Sequence, residues 1–149
     1  MRLIAHRGNI NGSHAQLEND PSYIIAALQK GYDVEVDVWY KNTQWFLGHD
    51  KPLFPVSIEF LKTEGLWCHA KNLQALENML YTNINCFWHQ HDYYTLTSSG
   101  IIWTYPTRPI CKQSIIVCHT LEETVKMSTQ NIWGICSDYV EKIENVCRI

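Results

Sequence analysis

Residues 34–38 read Val-Glu-Val-Asp-Val, and no other stretch restricts the fold as tightly. Strand side chains alternate between faces, so the three valines share one face and Glu35 and Asp37 share the other. Two neighbouring carboxylates on a buried strand repel and lose hydration unless a metal or a basic cluster compensates them. The competing reading is an amphipathic edge strand with a solvated acidic face. A valine face suited to packing under helices, with no flanking Pro or Lys to protect an edge, argues against it.

Short apolar runs alternate with helix-like stretches along the rest of the chain. Strands are expected at Leu3–Ala5, Val34–Val38, Leu66–Ala70, Ile84–Trp88, Ile101–Tyr105, Ser114–Cys118 and Ile132–Cys136. These make seven core strands, read as parallel, with room for an eighth. Asp20-Pro21 reads as an N-cap with Pro at the first helical position, before a helix closed by Gly31. Further helices are expected at Ser57–Glu64, Leu73–Leu80 and Leu121–Met127, and Gln44–Leu47 reads as a returning strand that delivers Gly48-His49-Asp50. No repeat or linker divides the chain, so residues 1–149 are expected to form one α/β domain. The expected architecture is a compact, reduced or distorted (β/α)8 TIM-type barrel. A complete barrel takes about 250 residues, so short loops must replace some outer helices.

Charge and composition exclude several roles. Twelve basic against fifteen acidic residues argue against a nucleic-acid partner held through phosphates. No apolar run approaches the ~20 residues of a membrane span, and the start MRLIAHRG lacks the apolar core of a signal peptide. A cytoplasmic location is therefore expected. The six cysteines (Cys68, Cys86, Cys111, Cys118, Cys136 and Cys147) form no CxxC pair and are expected as reduced, buried thiols.

The histidines are not scattered at random. His6, His69, His89, His91 and His119 come at or just after an apolar run, and His49 ends the returning strand. Only His14 lies in an ordinary loop. The carboxyl ends of parallel strands host the active sites of α/β folds, so this placement points to a catalytic pocket. His89-x-His91 is a weak metal signal and reads as pocket lining. Trp103 and Tyr105 pack in the core by default, or with Trp39 line the mouth and stack on a sugar or glycerol. Tyr93-Tyr94 reads as the start of a loop or short helix.

Ile4-Ala5-His6-Arg7-Gly8, Glu18-Asn19, Glu35-x-Asp37 and Gly48-His49-Asp50, in this order, resemble the glycerophosphodiester phosphodiesterase family of phosphatidylinositol-phospholipase-C-like barrels. The resemblance is strong over the first fifty residues. It continues more thinly through Lys71 and the closing Gly-Ile-Cys-Ser-Asp at 134–138. It implies metal-assisted hydrolysis of a small phosphodiester in lipid metabolism, with His6 and His49 as general acid and base. It further implies phosphate contacts from Arg7 and Lys71, support from Glu18, and a divalent cation on Glu35 and Asp37, Mg²⁺ or Ca²⁺. The sequence departs from the family where a third metal carboxylate is usual, because His69 stands there. Hard cations prefer oxygen, so an imidazole at that position admits Mn²⁺ or Zn²⁺. Two other readings compete. One is a non-catalytic binding module for glycerophosphate or sugar-phosphate groups. The other is a zinc hydrolase using His69, His89, His91 and Asp37.

Overall fold

The computed structural model describes residues 1–147, the side chains of 145–147 excepted. In chain order the elements are β1 (Arg2–His6), α1 (Pro21–Gln29), β2 (Asp33–Lys41), β3 (Gln44–Leu47), β4 (Phe54–Val56), α2 (Ile58–Leu61), β5 (Leu66–Ala70) and α3 (Leu73–Tyr81). They continue with β6 (Cys86–Phe87), β7 (Tyr94–Leu96), β8 (Ile102–Thr104), β9 (Ser114–Cys118), α4 (Leu121–Ser128), β10 (Gly134–Ser137) and α5 (Val140–Cys147).

Local signals set several boundaries. The Asp20 carboxylate accepts from Ser22 N and Tyr23 N, and Pro21 follows it into α1. Such a cap is worth about 1 kcal/mol. Thr120 and Glu123 form a reciprocal capping box at α4, satisfying two otherwise orphaned backbone donors.

The seven core strands expected from the sequence do run parallel, in the spatial order β6-β5-β2-β1-β10-β9-β8. The expected (β/α)8 barrel is nevertheless incorrect. Among the described residues ten strands form one mixed sheet curled into a half-barrel, with five short helices. β3 returns antiparallel beside β2, β4 runs antiparallel beside β3, and β7 pairs antiparallel with β8. The chain between β6 and β8 forms the β7 hairpin in place of a crossover helix. No helix separates β8 from β9 either. Among the described residues β6 pairs only with β5, so strand pairing does not close the ring. A backbone bond from Ser98 N to Cys86 O and the Phe87 ring of β6, stacked on Trp103 of β8 at 4.3 Å between centroids, bridge the gap instead.

Smaller differences have local causes. Tyr94 enters β7 rather than a loop or helix, because Tyr94–Leu96 finds Ile102–Thr104 as a partner. β4 and α5 carry no strong sequence signal and form by packing against β3 and β1. Cys68, Cys86, Cys118 and Cys136 are free and buried as expected, but Cys111 is free and exposed in the loop before β9. Cys147 lies outside the described side chains.

The valine face of β2 does pack under helices. Val34, Val36 and Val38 are fully buried in a cluster with Ile24 and Ala27 of α1 and Ala75 and Met79 of α3. Each such aliphatic side chain contributes about 1.5–3 kcal/mol by leaving water. The opposite faces fill the curl. Ile4, Trp67, Phe87, Trp103 and Ile115 form its apolar floor. Two residues further along four of these strand directions the same face turns polar, at His6, His69, His89 and Tyr105. No helix among the described residues is long and apolar enough to cross a membrane.

Candidate active site

β2 is longer than β1, and the difference brings together the two histidines that the sequence separates by 43 positions. β5 lines one edge of β2 from Val34 to Val38, and β1 occupies the other edge only as far as Glu35. The rest of that second edge is taken by β3, running back toward the end of β1. Arg7 N donates to Glu35 O, and Gly48 N donates to Asp37 O, so the residues after His6 and before His49 hang on successive positions of one strand edge. Gly48 permits the turn. Its φ is +149°, and a Cβ there would lie 2.1 Å from Lys51 O. Trp39 Nε1 donates to Gly48 O at 2.7 Å and holds the same turn. Gly8 does the equivalent on the other side, with φ +93° and no room for a Cβ beside the Tyr23 ring.

The carboxyl ends of the parallel strands surround a cavity of about 320 Å³. His6, Arg7, Glu35, His49, His69 and Lys71 line one side. His89, Gln90, His91, Tyr105 and His119 line the other, and Trp103 lies beneath them. Asp37 is fully buried just below the first group. Glu18 stands behind Arg7 rather than in the cavity wall. Trp103 is only 3% exposed and belongs to the floor, so the expectation of stacking at the mouth is not met there. Trp39 is committed to the His49 turn. His14 is exposed in the loop before α1, as expected.

The charges are tightly interlocked. Arg7 Nη1 donates to Glu18 Oε2 at 3.0 Å, and Arg7 Nε lies 3.1 Å from Asp37 Oδ2. Lys71 Nζ is 3.4 Å and His69 Nδ1 is 3.1 Å from Asp37 Oδ1. Burial alone would raise the Asp37 carboxyl, but His69, Arg7 and Lys71 outweigh it and hold it well below the usual range. Burial likewise opposes charge on His69, yet Asp37 and Glu35 push it up to about 9. His69 Nε2 donates to His89 O at 2.8 Å.

A pH dependence of stability follows for the metal-free protein. A histidine whose folded pKa exceeds the unfolded value stabilises fully below the unfolded pKa and loses that contribution as pH rises through the folded one. Denaturant midpoints are therefore expected to fall as pH rises from 6.5 through about 9, and to fall less in His69→Gln. An equally steep decline in the variant would assign the effect elsewhere.

Both candidate acid-base histidines are held at Nδ1 by a carboxylate. His6 Nδ1 is 2.9 Å from Asp138 Oδ1, and His49 Nδ1 is 2.8 Å from Asp50 Oδ1. A carboxylate only accepts, so Nδ1 carries the proton and Nε2 is left for the cavity. Burial lowers His6, but the Asp138 hydrogen bond and the field of Glu35 reverse this and raise it overall. His49 is more open, with 43% of its side chain exposed.

Glu35, Asp37 and His69 bring one ligand atom each within 4.8 Å of one another. Glu35 Oε2 and Asp37 Oδ1 are buried and receive no aligned hydrogen bond. His69 is oriented through Nε2, which leaves Nδ1 facing the carboxylates, as a metal-ligating histidine requires. This group fits a divalent cation. His89 and His91 do not join it. His89 Nδ1 is bound to Asp92 at 2.9 Å, and burial lowers its pKa.

Three residues without an expected role shape the site. Asn19, at φ +63°, donates to Asp37 Oδ2 and accepts from Asp37 N, both at 2.9 Å. Buried Asn9 donates to Glu18 Oε1 and to Asp138 Oδ1, joining the loop to the end of β10. Asp138 orients His6 from 132 residues away. The Ser-Asp after an apolar run was the available signal for Asp138. Nothing local distinguishes Asn9 from any other loop asparagine.

Comparison of the chain with protein-family models, with curated proteins and with solved structures gives no match.

Proposed function

We propose that this protein is a phosphodiesterase of the glycerophosphodiester type, hydrolysing a small phosphodiester by two-histidine general acid-base catalysis. The observation that supports it is the meeting of His6, His49, Arg7 and Lys71 in one cavity, beside the Glu35–Asp37–His69 group. A phosphodiester is already anionic, so an attacking oxygen needs the charge on phosphorus offset. Arg7 and Lys71 provide that. His6 Nε2 takes the proton of a substrate hydroxyl adjacent to the phosphate, the new P–O bond closes a cyclic phosphate, and His49 protonates the departing alkoxide as its bond to phosphorus breaks. Water then opens the cyclic phosphate to the phosphomonoester, with His49 taking its proton and His6 returning one to the ring oxygen that leaves. Asp138 and Asp50 keep the two rings in the required tautomer. A divalent cation on Glu35, Asp37 and His69 would add charge neutralisation and acidify a nearby hydroxyl. Mg²⁺ or Ca²⁺ is the ion of the resemblance, and the imidazole raises the relative affinity for Mn²⁺ and Zn²⁺.

The test is a panel of glycerophosphodiesters assayed with Mg²⁺, Ca²⁺, Mn²⁺ and Zn²⁺ supplied separately. Metal-stimulated release of a phosphomonoester and an alcohol is expected. Tight binding of the diesters without turnover under any metal would favour the non-catalytic binding module instead.

A further inference from the structure

A second cavity of different character lies on the outer face of the sheet. No helix joins β8 to β9, and residues 107–110 of that connection enclose, with β9 and α4, a space of about 270 Å³. Ile116 and Cys118 alternate onto this face of β9, and Ile110 and Met127 join them in one apolar cluster. Burial, with the field of Glu123, pushes the Cys118 thiol up to about 12, so it lines the bed as a neutral group. Val117, between Ile116 and Cys118, also borders the catalytic cavity, which makes β9 the partition between the two chambers.

Two cations border this apolar bed. Glu123, Lys126 and Met127 stand at i, i+3 and i+4 of α4 and share the face that lines it. Arg108 comes from the loop, with its guanidinium carbon 3.6 Å from the centroid of the Tyr93 ring. The ring covers one face of the guanidinium and takes none of its in-plane donors. Arg108 Nε is buried and has no acceptor. Among the described residues neither Arg108 nor Lys126 meets a carboxylate. Glu123 Oε2 is engaged by His119 N and Thr120 N at the start of α4. Arg108 and Lys126 against Glu123 leave the cavity with an excess of one positive charge.

An apolar bed with one unbalanced positive charge suits an amphipathic monoanion. A neutral apolar molecule would leave the guanidinium unpaired, and a dianion would exceed the charge available to it. We propose that this cavity is a second binding site, for a small carboxylate with an aliphatic body, of the medium-chain fatty acid class. The chain lies on Ile110, Ile116 and Met127, and the carboxylate meets Arg108 and Lys126 through charge-assisted hydrogen bonds. The volume is just under the usual range for ligand pockets, which limits the body to a short or medium chain. The site stands apart from the catalytic cavity and does not depend on the phosphodiesterase reading.

The experiment titrates the full chain with octanoate, octanol and octyl phosphate at about pH 8, where the phosphate is a dianion. Calorimetry reads the affinity, and the methyl resonances of isoleucine and methionine read the location. Octanoate is expected to bind saturably, more tightly than the other two, and to shift Ile110, Ile116 and Met127. Replacing both cations, Arg108→Gln with Lys126→Gln, is expected to weaken octanoate by about tenfold or more and to leave octanol unchanged, since a hydrogen bond to a charged group is worth that much. Lys126 is exposed and Arg108 lies in a loop, so this variant should keep the wild-type circular dichroism spectrum. Octanol binding as tightly as octanoate overturns the anion assignment, and tighter octyl phosphate overturns the single charge. Shifts confined to residues around His6 and His49 overturn the location. Absence of octanoate binding, or an affinity that the double variant does not change, overturns the site.

Discussion

Replacing His6 with alanine is expected to lower kcat by about 10²–10⁴-fold, the typical worth of a positioned general acid or base. His6 sits at the end of β1, bonded through Nδ1 to Asp138, with Nε2 available to the cavity. Its ring is not part of the main apolar core, so unfolding should remain cooperative. Loss of turnover with retained structure, measured by steady-state kinetics and circular dichroism, is the expected pair of results. Asp138→Asn separates positioning from catalysis. It keeps the shape, replaces the carboxylate that outweighs burial at His6, and should shift the acidic limb of the pH–rate profile downward. Wild-type turnover in His6→Ala would remove the acid-base assignment altogether.

Asp37→Asn is expected to have the largest effect on both stability and metal binding. The carboxylate is fully buried among Arg7, His69 and Lys71. Deleting one partner of a buried charge cluster leaves the others uncompensated and costs about 3–5 kcal/mol. Metal affinity should fall by more than the 10–100-fold typical of outer-sphere changes, since a direct ligand is lost. Glu35→Gln is the informative comparison. Glu35 Oε2 receives no hydrogen bond, so its substitution should weaken metal binding with a smaller loss of stability. Denaturant titration and calorimetric metal titration read the two effects independently. Unchanged metal dependence in both variants would remove the cation site.

Much of this site was legible in the chain because strand geometry is local. Alternation alone puts Glu35 with Asp37 and Trp67 with His69 and Lys71, whatever the strands later pair with. The Asp20-Pro21 start of α1 and the Val34–Val38 run were equally readable, since caps and periodicity act within a few residues. The eight-fold barrel was not a sound expectation, because closure depends on what each connecting segment finds to pair with. The segments from β6 to β9 hold no crossover helix, and Tyr94–Leu96 pairs with β8. Asn9, and the role of Asp138, were not readable for a related reason. Their partners lie across the fold, and only contact gives them a role.

The sequence by itself determined which side chains share a face, where helices begin, and that imidazoles and carboxylates gather at strand ends. Tertiary structure alone decided that the sheet stays an open, mixed half-barrel and that His6 and His49 meet. They meet because β2 outruns β1, and backbone donors at Arg7 and Gly48 must find acceptors on the same exposed edge.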